Sequence, residues 1–80
     1  MTVTVRLFAS YAERLGRTLI ELDLPDGSTA GDAVTSISRL PGGSTLPPAP
    51  LVAVNFAYAV AADPLKDGDE VAIIPPVAGG

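Results

Sequence analysis

The group in this chain best placed to do chemistry is the carboxylate of its last residue, Gly80, at the end of the run Pro75-Pro76-Val77-Ala78-Gly79-Gly80. Gly79 and Gly80 lack a Cβ, so that end fits a narrow channel and takes dihedral angles closed to other residues. Two terminal glycines arise by chance in roughly one chain in two hundred at ~7% glycine usage, so the pair gains its weight from its setting. A carboxylate is a poor electrophile in water. Conversion by ATP to an acyl-adenylate supplies the leaving group that makes its carbonyl attackable. A sulfur nucleophile then gives a thiocarboxylate, and a lysine amine gives an isopeptide bond. The residues themselves leave both fates open.

Other chemistry is bounded by what is missing. With no cysteine and no histidine, the chain has no disulfide, thiolate nucleophile, thiolate zinc site or imidazole base. Any sulfur it carries would therefore sit at the terminus. Asp67, Asp69 and Glu70 are the acidic cluster to weigh for a cation. Asp67-Gly68 already reads as turn chemistry, however, and acids so close in sequence rarely aim at one centre, so no metal site is expected. These acids are instead candidates for contact with basic residues of an activating enzyme. Gly42-Gly43 lacks the helix start and lysine of a phosphate cradle. Arg14, Arg17 and Arg39 are scattered and read as solvated. A net charge of −4 argues against nucleic-acid binding, which rests on neutralising phosphates.

Eighty residues make one domain with a modest core. No apolar run approaches the ~20 residues of a membrane span. Thr2, Thr4 and Arg6 interrupt any signal-peptide pattern, so a cytoplasmic location is expected. Thr2 to Phe8 alternates as a half-buried strand, with Val3, Val5 and Leu7 inward and Thr4, Arg6 and Phe8 outward. Ser10 to Glu13 has capping-box spacing and predicts a short helix stopped by Gly16. Thr18 to Leu24 predicts a second strand, closed by the turn Pro25-Asp26-Gly27. Thr29 as N-cap, with Asp32 completing a capping box, opens the main helix. Its buried face is Ala30, Ala33, Val34, Ile37 and Leu40, with Gly31 a weak point and Pro41-Gly42-Gly43 the stop.

The stretch from Pro41 to Pro50 holds four of the eight prolines and reads as a surface loop. Val52 to Asn55 and Tyr58 to Val60 predict strands around a turn at Asn55-Phe56. Glu70 to Ile74 is the last strand, after a turn at Lys66-Asp67-Gly68-Asp69. An amphipathic helix needs an apolar sheet face to cover it. The order thus predicts an α+β, β-grasp (ubiquitin-like) fold: a mixed sheet of four to five strands on one main helix, with first and last strands adjacent at its centre. The domain would span residues 1–74 and the tail 75–80, since Pro75 and Pro76 cannot donate to a ladder and send the chain out extended.

Strand parity makes one further prediction. If Val71 and Ile73 face the helix, then Ala72 and Ile74 face away, as Phe8 does on the neighbouring strand. Phe8 and Ile74, extended by Tyr58, would form an apolar docking patch near the exit of the tail.

Several runs resemble one known family, the small sulfur-carrier subunit of molybdopterin synthase. They are Ala53-Val54-Asn55, Pro64 to Ala72 and Pro75 to Gly80, with Val5 to Ala9 and Glu13 to Gly16 similar to the family's first strand and helix. The resemblance covers nearly the whole chain. It implies a carrier that is not an enzyme by itself and holds no permanent cofactor. An E1-like adenylyltransferase would use ATP to adenylate Gly80, and a sulfurtransferase system would make the thiocarboxylate. The tail would then enter the large synthase subunit, in a heterotetramer of two large and two small subunits, and give sulfur to cyclic pyranopterin monophosphate. The sulfur carrier of thiamine biosynthesis shares the fold and the diglycine end, but Pro75-Pro76-Val77 and the Asp67 to Val71 run look closer to the molybdopterin branch. A ubiquitin-like modifier joined to lysines through Gly80 is an alternative of a different class, and a β-grasp interaction module with an inert tail is a third.

Overall fold

The computed structural model describes residues 1–76. The chain runs β1 (Thr2–Leu7), α1 (Ala9–Leu15), β2 (Leu19–Asp23), α2 (Ala30–Ser38), a 3₁₀ turn (Gly43–Thr45), β3 (Leu51–Val54), β4 (Ala57–Ala59) and β5 (Glu70–Ile74). The five strands form one mixed sheet in the order β2-β1-β5-β3-β4. β1 and β5 pair in parallel at its centre, Val5 opposite Val71 and Leu7 opposite Ile73. The other neighbouring pairs are antiparallel.

The period of two along β1 and β5 fixes which face is covered. Val3, Val5, Leu7, Val71 and Ile73 are buried under α2, whose Ala30, Ala33 and Ile37 are fully buried in turn. The Val, Leu and Ile side chains among these each contribute about 1.5–3 kcal/mol when taken from water. Val34 and Leu40 sit at the margin of the core, partly exposed. The predicted start of α2 is present: Asp32 N donates to Thr29 Oγ1 and Thr29 N donates to Asp32 Oδ2. Both bonds satisfy backbone donors that a helix start leaves open.

Three expectations need correction. Ser10 does not cap α1. The helix begins two residues earlier than a Ser10 cap would start it, behind an extended Phe8 with no side-chain cap. Leu7 must stay in the core, so the chain turns at once through Ala9, at φ 47°, and the Phe8 carbonyl accepts from Tyr11 N and Ala12 N. Second, β4 spans Ala57–Ala59 and excludes Val60, because Val60 N donates to Asp63 Oδ2 and the chain turns away from the ladder. β3 likewise ends at Val54, with Asn55 already in the turn.

Third, the proline-rich stretch is more than surface loop. It contains the 3₁₀ turn and sends Leu46 into the core. Gly42, at φ +87°, lies so close to the Arg14 carbonyl that a Cβ would collide with it, and a Cβ on Gly43 would meet the Ile37 carbonyl. Gly31 is equally purposeful, since a Cβ there would lie 3.1 Å from Ala61 Cβ and O. Its N–H donates to Ala61 O, and Ala30 N donates to Asp63 O, so the segment after β4 seals the first turn of α2.

Candidate functional site

The uncovered sheet face meets the exit of the tail. Ile74 is the last residue of β5 in register, opposite Leu51. Pro75 and Pro76 follow outside the ladder, Pro75 half-buried and Pro76 exposed. Pairing thus stops where the first missing amide donor falls, as a proline requires. The remaining tail residues named from the sequence, Val77, Ala78, Gly79 and Gly80, lie outside the described residues.

On that face Phe8, Tyr58 and Ile74 line one open concavity of about 370 Å³. Register explains their meeting. Phe8 continues β1 beyond the Leu7–Ile73 pair, so it falls beside Ile74. Tyr58 pairs with Ala53, which pairs with Ala72. Two alanines therefore make a shallow floor between the larger side chains. Phe8 is 41% exposed and Tyr58 77% exposed, unusual for residues of their size.

Two parts of this face were not legible in the sequence. The first is an ion pair in the same concavity, where Arg6 Nε donates to Glu70 Oε1 at 2.7 Å. Arg6 was already on the outward parity of β1, and the parallel partner of β1 is what brings Glu70 beside it. Partly solvated, such a pair is worth at most about 1 kcal/mol. The second is Phe56, read only as a turn residue and found lining the concavity. The available signal was an aromatic in a position of the turn where glycine is usual.

The acidic cluster is accounted for by structure. Asp67 Oδ1 accepts from Thr2 N, Glu70 pairs with Arg6, and Asp69 accepts from Lys66 N and Asn55 Nδ2. The three carboxylates thus serve three different partners. The two hydrogen bonds to Asp69, from the Lys66 amide first and Asn55 second, hold its carboxyl below the usual 3.8. Among the described residues no group of acids is placed to hold a metal ion. No helix there is long and apolar enough to cross a membrane.

Parallel β1 and β5 at the centre of a five-stranded mixed sheet, with α2 across one face, define a β-grasp, ubiquitin-like domain. The ThiS family matches residues 5–80, and the chain belongs to that family. A molybdopterin synthase sulfur carrier subunit of Dictyostelium discoideum is 38% identical over 80 residues, covering 95% of this chain and 93% of its own. One of Chlamydomonas reinhardtii is 36% identical over 83 residues, covering 100% of both chains. Among solved structures, the Haloferax volcanii small archaeal modifier protein 1 superposes with a TM-score of 0.83 at 26% identity, over 95% of this chain and 98% of its own.

Proposed function

We propose that this protein is the sulfur carrier of molybdopterin synthase and works through the carboxylate of Gly80. The observation that carries the reading is the similarity, 36–38% identical and nearly end to end, to proteins of that name, continuous with a family match that extends through residue 80. The Gly80 carboxylate attacks the α-phosphate of ATP on an E1-like adenylyltransferase, releasing pyrophosphate and leaving an acyl-adenylate. A sulfur nucleophile at the sulfide level, supplied by a sulfurtransferase system, adds to the carbonyl and expels AMP, leaving the thiocarboxylate. In the large synthase subunit the thiocarboxylate gives its sulfur to cyclic pyranopterin monophosphate, and water restores the carboxylate. Each thiocarboxylate carries one sulfur, so the two sulfurs of one dithiolene take two loaded carriers in turn.

In this scheme the domain is a co-substrate, and catalytic side chains belong to its partners. Phe8, Tyr58 and Ile74 are the docking contacts that hold the tail at the partner's channel. Their apolar clustering beside Pro75 supports that role, since contiguous exposed apolar surface marks interaction sites. A second reading, conjugation to lysine amines as a protein modifier, is favoured by the likeness to the small archaeal modifier.

Reconstitution tests the first reading. Carrier, adenylyltransferase, ATP and a sulfide source should convert the full-length chain to the thiocarboxylate, and that product should sustain molybdopterin formation by the large subunit. The chain lacking Gly80 should fold normally and do neither. Sulfur transfer by the truncated chain would overturn the proposal.

A further inference from the structure

The tip of the β3–β4 hairpin carries a residue that neither the turn nor the core accounts for. Asn55 and Phe56 have φ of 50° and 70°, the left-handed positions of a two-residue hairpin loop, where Asn followed by Gly is the favoured pair. Asn55 fits its position. Its side chain accepts from Glu70 N and donates to Asp69 Oδ1, tying the hairpin to the start of β5. Phe56 does not fit, because a Cβ opposes the left-handed region. Nor does burial offset this, for the ring is 91% exposed. A residue disfavoured by both its backbone and the solvent around it points to a contact outside the domain.

Its place on the face narrows the contact. Phe56 lines the same concavity as Phe8, Tyr58 and Ile74, but from the opposite end. Asn55 N donates to Glu70 O at the start of β5, whereas Phe8 and Ile74 lie at its end, beside Pro75. The strand from Glu70 to Ile74 spans about 13 Å. On the same face, starting from the Phe56 end, Glu70 and Arg6 neutralise each other. The complementary surface is therefore uncharged and apolar, despite the net charge of −4.

We propose that Phe56 is a distal anchor, its ring seated in an apolar recess of the partner subunit that receives the tail, away from that subunit's channel. This rests on the docking face proposed above and adds to it a residue with a separate task. Being far from the tail exit, Phe56 sets how tightly the partner is held, while Phe8 and Ile74 set where the tail enters.

Affinity of the full-length chain for the large synthase subunit, measured by calorimetry, tests this with three variants. Phe56→Ala removes the ring and keeps the unfavourable φ, Phe56→Gly removes both, and Phe8→Asp probes the face itself. Both Phe56 variants should bind about tenfold more weakly or worse, the loss falling on KM for the thiocarboxylated carrier rather than on kcat. Phe56→Gly alone should melt several degrees higher than the parent chain. Unchanged affinity in both Phe56 variants, with Phe8→Asp weakened, would overturn the anchor and leave the docking face standing. Unchanged affinity in all three would overturn the face as well. A self-association lost in Phe56→Ala, with partner affinity intact, would assign the ring to a second copy of the chain and also overturn the proposal.

Discussion

Asp69 joins three segments that are distant in sequence. Its carboxylate accepts from Lys66 N and Asn55 Nδ2, and its carbonyl accepts from Thr4 N. The turn before β5, the β3–β4 hairpin and β1 are thereby held together. The two bonds to the carboxylate, from Lys66 N first and Asn55 second, favour the ionised form, so the folded-state pKa lies below the usual 3.8. A carboxyl depressed on folding contributes stability above its unfolded pKa and loses it as pH falls through the folded value. Urea unfolding followed from pH 6 down to about pH 2 should therefore show stability falling from about pH 4 downward. Asp69→Asn should flatten that fall. Solvent screening keeps the difference below about 1 kcal/mol. An identical pH profile in the variant would show that Asp69 is not the group responsible.

The elements differ in how far the sequence revealed them, and the difference follows from where their determinants lie. The Thr29–Asp32 capping box is local, four residues acting on one another, and it was legible. So was the burial of Val71 and Ile73, because a period of two needs no knowledge of partners. The start of α1 was not legible, since it depends on Leu7 staying in the core across the sheet. The same holds for Gly42, Gly43 and Leu46, whose roles exist only once α1 and α2 lie alongside them. Two glycine substitutions make this testable. Gly16 and Gly42 both have positive φ, at 74° and 87°, but only Gly42 also faces a backbone carbonyl at collision distance. Gly16→Ala should lower the unfolding free energy by about 1 kcal/mol and Gly42→Ala by about 2 kcal/mol or more. Equal losses in denaturant titrations would remove the close approach of the loop to α1.

At the scale of the whole molecule, the topology puts the end of β5 in the middle of the sheet and beside the end of β1. The exit of the tail is thus framed by Phe8 on one side, with the apolar floor of Ala53 and Ala72 leading away from it. Parity alone placed Phe8 and Ile74 together. It put Arg6 on the same face but did not pair it with Glu70 or bring in Phe56, because the pairing follows from the parallel register and the place of Phe56 from the hairpin. Phe8 is also the N-cap of α1 and lacks a side-chain cap bond, a position at which Asp is among the favoured residues. Phe8→Asp should consequently leave the melting temperature unchanged or raise it, while weakening assembly with the large subunit at least tenfold. Size-exclusion chromatography and a thermal melt on one preparation check both halves. A lowered melting temperature would make the assembly loss a folding defect.

The claim on which the account turns is that Gly80 carries sulfur. Intact mass spectrometry of the protein purified from its native host reads this directly. The account predicts a fraction of chains heavier by the exchange of one oxygen for sulfur, localised to the C-terminal peptide and alkylated there by iodoacetamide, in a chain that has no cysteine to react instead. A terminus found only as free carboxylate or as isopeptide adducts on other proteins, under conditions in which molybdopterin is being made, would contradict it.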